Sequence, residues 1–421
     1  MSTALSLRIS SYLSLFVSLG VLIAGCSLAT PSYSTHESGD SPEYPSSVSE
    51  VAWEWEPPRD SGTPSLHEMN EGVVVLFESG AFGLSGETGE ELWSYYEPDQ
   101  DFLVEVSDNG KYVVLYDEEE SRAVLLERDT GRVVHEYILD MDEFDHTYRV
   151  QVGSLHEPLR GITGDTWVVR WQNEVISYDL ETGGEAWVAQ DIAHCPDQGS
   201  VNSLSVQEEV VVAATTCYEQ PEDRESVEWI HGWDFTSELV GLDPGTGEQL
   251  WRVEHTLGQM PRESLQRNIS SHPGGLVGIH YLDSYDLEPS LLDIEVKEVT
   301  DLETRSFLWV SPDGSRLGLW DTETGDYLIQ GRSGEVEHTL KPEIVADGFR
   351  VGLEGGVLYL KEWVWDVSDP EEFAFFEGFH GSSSFIWDAA ESLKVTDALS
   401  VPGAVAVAYR ADGEPGVMGL R

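Results

Sequence analysis

A short phrase that recurs five times along this 421-residue chain constrains its fold more than any other sequence feature. Each copy centres on Asp-x-x-Thr-Gly or a close variant, and most copies continue into a stretch that carries Trp. The copies occupy residues 83–93, 126–135, 178–187, 241–251 and 320–328. Their Gly residues are 42, 52, 64 and 78 residues apart, and the last gap would hold two degenerate units. Repeats of roughly 40–50 residues are typical of β-propeller blades.

The physical chemistry of the phrase predicts a β-hairpin. Apolar, β-branched runs such as Val73–Phe77 and Val210–Val212 precede it, and they favour strands that are buried on both faces. The Asp or Thr side chain then bonds the local backbone, and the Gly supplies a positive φ for the turn. The following strand carries Trp93, Trp187 or Trp251, which we expect to pack between neighbouring blades.

The phrase is similar to the repeat of the pyrroloquinoline-quinone-like (quinoprotein-type) β-propellers. That superfamily contains quinoprotein dehydrogenases and the propeller lipoprotein of the outer-membrane barrel assembly machinery. The resemblance covers roughly residues 51–421. It implies an all-β fold, a single β-propeller of about eight four-stranded blades, with seven blades as the alternative.

The two ends of this region resemble two parts of one repeat. Val417–Arg421 is similar to the start of the first copy, but the chain stops before a Trp strand. Trp53–Pro58, near the N-terminus, is similar to Trp93–Pro98 and supplies what is missing. We therefore predict that the N-terminal strand pairs with the C-terminal blade, which closes the ring and removes an exposed sheet edge.

The first residues resemble a bacterial lipoprotein signal. Residues 1–25 combine one charge, Arg8, with an apolar run, Ile9–Ala24, which is shorter than the ~20 apolar residues of a membrane-spanning helix. The run leads into Leu22–Cys26, which is similar to the lipobox, whose Cys is diacylated before the chain is cut in front of it. Acylation of Cys26 would anchor the protein stably on the extracytoplasmic face of the cell membrane. An ordinary signal peptide is the alternative.

Residues 26–50 are rich in Ser, Thr, Pro, Gly and acidic residues. Such a stretch cannot bury enough apolar surface to order itself, so we expect a disordered tether that lifts the body off the membrane. The predicted organisation is a lipoprotein signal peptide over 1–25, the tether over 26–50 and the propeller over 51–421.

The chain is strongly acidic, with 78 Asp and Glu residues against 23 Lys and Arg residues and a net charge of −55. So negative a field excludes ordinary nucleic-acid binding and disfavours adhesion of the folded body to anionic lipids. We favour adaptation to salt, or simple solubility, as the reason for the acidity. Attraction of cations or of a basic partner is the alternative.

The sequence carries no recognisable catalytic constellation. The quinone-dependent enzymes of the superfamily use a vicinal pair of cysteines, whereas this chain has only Cys26, Cys195 and Cys217. The densest carboxylate cluster, Asp140–His146, lacks the spacing of a calcium loop and is interpreted as a solvated loop. We therefore predict no catalytic residue, no cofactor and no metal site.

Cys195 and Cys217 are predicted to form a disulfide bond, since an exported protein meets an oxidising compartment. The bridge would close a loop of 22 residues and contribute about 3 kcal/mol in the chain-entropy view. Two buried free thiols are the alternative.

These features predict a membrane-anchored, extracytoplasmic propeller that acts as a non-catalytic protein-binding scaffold in the cell envelope. The expected partners are another envelope protein and, through Cys26, the membrane, with the protein itself a monomer. Trp229 and Trp233, in the long connection 218–236, are the candidate interface residues, because Trp often anchors interfaces. A small-ligand binding or sensing lipoprotein is the first alternative, and a propeller enzyme is the second.

Overall fold

The computed structural model describes most of the chain after residue 31. The described residues are 32–58, 62–98, 100–117, 119–120, 122–138, 161–171, 173–194, 198–218, 233–260, 267–272, 274–281, 290–302, 305–311, 314–340, 348–353, 356–361, 363–364, 374–378, 381–385 and 393–421. Within these ranges the regular structure consists of β-strands, and they form eight antiparallel sheets of four or five strands. The prediction of an all-β propeller is confirmed.

The first four sheets follow one another along the chain. Sheet one contains β1 (Ser32–Ser34) and β3 to β6 (Ser65–Met69, Gly72–Phe77, Gly80–Ser85 and Glu91–Tyr96). Sheet two contains β7 to β10 (Phe102–Val106, Tyr112–Asp117, Arg122–Glu127 and Val133–Ile138). Sheet three contains β11 to β14 (Ile162–Thr163, Thr166–Trp171, Glu174–Asp179 and Glu185–Ala189). Sheet four contains β15 to β18 (Gln198–Val206, Val211–Tyr218, Trp233–Leu242 and Gln249–Met260).

The remaining sheets continue the pattern, except that the last one also takes a strand from the N-terminal side. Sheet five contains β19 to β22 (Arg267–His272, Leu276–Tyr281, Ser290–Asp293 and Glu298–Asp301). Sheet six contains β23 to β26 (Arg305–Val310, Arg316–Asp321, Tyr327–Gly331 and Val336–Leu340). Sheet seven contains β27, β28, β30 and β31 (Gly348–Leu353, Gly356–Lys361, Ala374–Gly378 and Gly381–Phe385). Sheet eight contains β2, β29, β32, β33 and β34 (Val51–Trp55, Trp363–Val364, Leu393–Val401, Ala404–Ala411 and Glu414–Leu420).

The core lies between the sheets, because each sheet is buried on both faces. In β4 every residue is buried: Val74 and Leu76 pack against sheet two, whereas Val73 and Val75 pack against sheet eight. Alternate side chains of a strand point to opposite faces, so one apolar run serves two interfaces. Eight apolar clusters join the sheets in chain order, and the last cluster joins sheet eight to sheet one.

Strand β2 completes sheet eight, as the likeness of Trp53–Pro58 to Trp93–Pro98 predicts. It pairs antiparallel with β34, with Val51 opposite Leu420 and Trp53 opposite Gly419. Sheet eight therefore combines the C-terminal strands with one strand from near the start of the described chain, and β34 is not left as an open edge.

The Trp residues of the repeated phrase lie between neighbouring sheets. Trp53 faces Gly419 across its own sheet and Gly89 in the turn of sheet one. Trp93 faces Gly83 and then Gly131, the turn glycine of sheet two, in the same way. A Cβ on any of these four glycines would come within 2.1–2.7 Å of the indole, so the glycines make room for the Trp side chains.

The turns have the predicted hydrogen bonds. In sheet three the backbone N–H and the hydroxyl of Thr182 both donate to Oδ1 of Asp179, at 2.7 and 2.8 Å. These bonds, first of all the one from the backbone, lower the pKa of the Asp179 carboxyl. Gly183 follows with a φ of +67°, a conformation that glycine adopts without strain.

The fifth copy of the phrase lies elsewhere in its sheet than the others. The turn from Asp321 to Gly325 joins the second and third strands of sheet six, whereas the turns at Gly89, Gly131, Gly183 and Gly247 join third and fourth strands. The tight turn between the third and fourth strands of sheet six is instead Gly331–Glu335. The fifth copy therefore forms the predicted hairpin turn, but at the opposite end of its sheet, because the same local hydrogen bonds suit a hairpin at either end of a strand.

Residues 32–50, which we expected within the disordered tether, lie against the propeller. Strand β1 pairs with β6 at the outer edge of sheet one, from Ser32 opposite Tyr96 to Ser34 opposite Ser94. Val48 is only 2% exposed and belongs to the apolar cluster between sheets seven and eight. The segment has little apolar surface, and hydrogen bonds to distant residues hold most of it in place.

Side chains on the first strands also connect neighbouring sheets. Oδ2 of Asp397, on β32, accepts a hydrogen bond of 2.9 Å from the backbone N–H of Leu66 on β3. Oγ of Ser203, on β15, accepts one of 3.2 Å from Ile269 on β19. Both acceptors lie at a β-bulge, which turns the side chain toward the next sheet. Burial raises the pKa of the Asp397 carboxyl.

We expect Gly83→Ala to lower the free energy of unfolding by about 1–3 kcal/mol, the usual cost of overpacking a core. The new Cβ would lie 2.2 Å from Nε1 of Trp93, so the indole would have to move. The matched control is Gly184→Ala in an exposed turn, where the nearest atom is Oγ1 of Thr182 at 3.4 Å. Urea unfolding followed by tryptophan fluorescence measures both variants, and equal stability of the two would contradict the role given to Gly83.

We expect deletion of Val51–Glu56 and deletion of Val417–Arg421 each to destabilise the whole propeller, since either deletion leaves sheet eight without a strand. The double deletion should cost much less than the sum of the two, because both remove the same pairing. Thermal unfolding of the three variants measures the effect. Additive losses would show that β2 and β34 do not depend on each other.

Candidate functional site

The two ends of the sheets differ in their connections. In a meander of antiparallel strands, the first-to-second and third-to-fourth turns lie at one end, and all other connections lie at the opposite end. We call these ends the turn face and the loop face. Among the described residues the turn-face connections are short. At the loop-face ends the strands are separated by longer stretches of sequence, of which the longest separate β10 from β11, β16 from β17 and β29 from β30.

Sheet four extends farthest among the described strands that surround the loop face. Strands β17 and β18 have 10 and 12 residues, whereas β5 and β6 of sheet one have six each. Four further residues at about 3.4 Å each carry the hairpin roughly 14 Å beyond the shorter strands. Its last pairs are Asp234 with Gln259 and Trp233 with Met260.

Polar side chains fix the base of this extension. Nδ2 of Asn202 donates to Oγ1 of Thr216 at 2.5 Å, and Oγ of Ser200 donates to Oδ1 of Asn202 at 2.8 Å. Thr216 is buried although it is polar. The bond between Asn202 and Thr216 joins β15 to β16, beside the base of the extension.

An ion pair lies in the middle of the same hairpin and is bonded to the segment that follows sheet three. Arg252 on β18 pairs with Glu238 on β17, and both side chains are mostly buried. Nη2 of Arg252 also donates to the backbone carbonyl of Ile192 at 2.8 Å. A largely buried charge pair with further hydrogen bonds holds one geometry, so the hairpin has a fixed direction relative to sheet three.

A second buried ionic group lies where sheets one and two meet the loop face. Nη2 of Arg122 donates to both carboxylate oxygens of Glu97, at 3.0 and 2.9 Å. The hydroxyl of Tyr95 donates to the same carboxylate at 2.5 Å. Burial, and then the bond to Glu97, raise the pKa of Tyr95 above its ordinary value. The guanidinium of Arg122 also lies 5.7 Å from the centre of the Phe102 ring.

Neither ionic group was predicted from the sequence. Glu238 and Arg252 are 14 residues apart on two strands, and Glu97, just after β6, is 25 residues from Arg122 on β9. In a chain with 78 acidic residues the sequence contains no signal that selects these two carboxylates. In both groups an Arg guanidinium binds the carboxylate, so each group holds together elements near the loop face.

The candidate interface residues are only partly within the described chain. Trp233 was expected within the connection 218–236, but it is the first residue of β17, at the end of the extended hairpin, because the strand begins earlier than the sequence suggested. Trp229 lies outside the described residues, as do Cys26 and Cys195. The structure thus places Trp233 on the loop face and leaves the interface assignment as a prediction.

Cys217 lies on β16 and is 5% exposed. It pairs with Gly199 on one side and with Thr236 on the other, and it is disulfide-bonded. Cys195 precedes Gly199 by four residues, so a bridge between Cys195 and Cys217 needs only a short stretch of chain. That pairing stays a prediction.

The N-terminal strap, residues 32–50, crosses the turn face of sheets one and eight. The backbone N–H of His36 donates to the carbonyl of Thr130 at 3.0 Å, and Glu71 accepts bonds from His36 Nε2 and from the backbone of Gly39. The hydroxyl of Tyr44 donates to Glu68 at 2.5 Å. Burial, and then this bond, raise the pKa of Tyr44.

The strap continues to the seam of sheet eight. The carbonyl of Glu43 accepts a bond of 3.0 Å from the backbone N–H of Gly403, in the turn between β32 and β33. The backbone N–H groups of Ser49 and Glu50 donate to the carbonyl of Arg421. The strap therefore makes contacts along its length from β1 to β2.

The described residues contain no group of three or more His, Cys, Asp or Glu side chains placed to hold a metal ion. In the same part of the chain no helix has the length and apolar character to span a membrane.

Fold and repeats together define the class of this protein as a β-propeller of quinoprotein-type repeats. A family model described as "Outer membrane protein assembly factor BamB" matches residues 49–229 and 104–274, which together exceed half of the chain. The chain belongs to this family, and the resemblance found in the repeated phrase is confirmed. No curated protein matches the sequence significantly.

Several solved structures have a similar fold at low sequence identity. BamB from Moraxella catarrhalis has 12% identity and a TM-score of 0.46, over 88% of this chain and 99% of that chain. The C-terminal WD40 domain of Sif2 has 11% identity and a TM-score of 0.38, over 85% and 81%. The propeller domain of Cps50 (Swd1) from Myceliophteria thermophila has 11% identity and a TM-score of 0.35, over 85% and 100%. These likenesses concern the fold alone.

We expect the exported protein to contain a bond between Cys195 and Cys217. Intact-mass analysis should find it two hydrogens lighter than the reduced form, and peptide mapping should find the two residues linked. A thiol at Cys217 that is alkylated in the native, unreduced protein would contradict the pairing. Serine at both positions should cost about 3 kcal/mol of stability.

Proposed function

We propose that this protein is a lipid-anchored, non-catalytic scaffold on the extracytoplasmic side of the cell membrane, and that its loop face binds another protein of the cell envelope. The observation that carries this proposal is the asymmetry of the two faces. Short turns form one face, while the extended hairpin of sheet four projects from the other, where the strands are also separated by the longest stretches of sequence. Loops held by a rigid scaffold are the usual location of binding residues.

The construction of the hairpin supports this proposal. Its base is held by Asn202 and Thr216, and its direction by the pair of Arg252 and Glu238. A binding element that is already ordered loses little conformational entropy when a partner binds. Trp233, at the end of this element, is the residue type that most often dominates interface energetics.

The family also supports a role in the envelope. The matching model is described as an outer membrane protein assembly factor, and the sequence before Cys26 has the order of charge, apolar run and small residues that is typical of a lipoprotein signal. Fold alone does not establish function, so the proposal depends on the loop face rather than on the propeller as such.

Replacing both Trp229 and Trp233 with Ala tests the binding face. We expect crosslinking to envelope proteins, identified by mass spectrometry from intact cells, to fall at least about tenfold, since a Trp hot spot contributes 2 kcal/mol or more. The thermal unfolding temperature should stay close to that of the unchanged protein.

The matched control replaces Leu250 and Val296 with Ala. Both are apolar, 51% and 64% exposed, and lie at the turn-face ends of sheets four and five. Crosslinking by this control should persist. Loss of crosslinking in the control but not in the Trp variant would move the binding site to the turn face. Quinone-dependent oxidation of an alcohol or a sugar by the purified protein would overturn the scaffold proposal.

A further inference from the structure

We infer that the docked strap turns the N-terminal anchor into a short attachment, which holds the outer edge of sheet one close to the membrane with the loop face turned toward it. This inference rests on the proposed acylation of Cys26. It goes beyond the proposed scaffold function because it gives the propeller a distance from the lipid and an orientation.

The first step is the length of chain between the lipid and the body. If residues 26–50 were all free, 25 residue steps of about 3.5 Å would allow the propeller to lie up to roughly 90 Å from the membrane. Strand β1 begins at Ser32, so only six steps separate it from Cys26. Six steps span at most about 20 Å, the length they have when fully extended.

The second step is the strength of docking. Strand β1 alone is short, but Oγ of Ser34 accepts from the backbone of Ser94 at 3.0 Å and lies 3.2 Å from Oγ of Ser94. The strap then bonds Thr130, Glu71, Glu68 and Gly403 in turn, and it buries Val48 before it enters β2. Contacts with sheets one, two and eight must all break before the strap can leave the turn face.

The third step is the direction in which the chain leaves the propeller. Strand β1 is antiparallel to β6, and Ser32 lies opposite Tyr96. Tyr96 ends β6 at the connection to sheet two, which belongs to the loop face. The chain toward Cys26 therefore departs from the rim of sheet one at its loop-face end.

Orientation follows from these lengths. Strands of six residues are about 20 Å long, which equals the full reach of residues 26–32. If the turn face were toward the membrane, residues 26–32 would need their full length to run from the loop-face end of sheet one to its turn-face end. If the loop face is toward the membrane, the full length of residues 26–32 can connect the propeller to the lipid on Cys26.

Energy transfer to acceptor dyes in the lipid tests this arrangement on the acylated protein in vesicles. Donor dyes are attached to Glu119→Cys on the loop face and to Glu90→Cys on the turn face, which are both exposed residues. We expect the transfer efficiency from position 119 to exceed that from position 90 by about twofold, given a separation of roughly 20 Å between the faces. Equal or reversed efficiencies overturn the orientation.

A control variant with a flexible Gly-Ser insertion of about 20 residues after Thr30 should abolish the difference, because the reach then grows about fourfold. A difference that survives the insertion would mean that contacts of the body with lipid, and not the short attachment, set the orientation, and this result would overturn the inference.

A second measurement tests docking independently of the lipid. In a Ser34→Cys, Ser94→Cys variant the two new thiols replace hydroxyls that are 3.2 Å apart, so mild oxidation should link them both in membranes and in a soluble Cys26→Ser form. An acylated protein without this link overturns the docked strap alone. A protein with no acyl mass on Cys26 overturns the proposed anchor, and the membrane distance with it, even if the link forms.

Discussion

The structure depends on an indole ring held between two glycines that belong to neighbouring sheets. Trp93 packs on Gly83 of its own sheet and on Gly131 of the next, and Trp53 repeats the arrangement with Gly419 and Gly89. The first copy therefore supplies a turn glycine, Gly89, to the interface before it and Trp93 to the interface after it. No copy is satisfied alone, so the repeats specify one another's position and a stack of sheets results.

The exception in sheet two shows how specific this packing is. His135 takes the place of Trp, Leu125 takes the place of the facing glycine, and a Cβ on Gly183 in the next turn would meet no atom within 4 Å. The interface between sheets two and three is filled instead by large rings, among them Tyr137 and Trp167. The ring, the residue opposite it and the contact with the next turn change together, because all three fill the same space between two sheets.

The sequence predicts most of the sheets because the phrase couples local turn chemistry to a packing position. Prediction from the sequence fails where the local pattern of a segment does not reveal its place in the sheet or its distant partners. The turn from Asp321 to Gly325 has the predicted hydrogen bonds but lies at the opposite end of its sheet from the other copies. The sequence of the strap suggests disorder because its hydrogen-bond partners, such as Glu71 and Thr130, are distant in sequence. Of the candidate site, the sequence identified the loop that precedes Trp233. It did not identify the charge pair of Arg252 with Glu238, which directs that hairpin.

The pairing of β2 with β34 also determines when the protein can become native. The two strands lie near opposite ends of the described chain, so this interface joins residues that are very far apart in sequence, and its formation is correspondingly slow and entropy-limited. A ribosome or an export channel that still holds the last strand keeps sheet eight incomplete and the ring unsealed. The propeller therefore acquires its full resistance to proteolysis only after β34 has become available and has paired with β2.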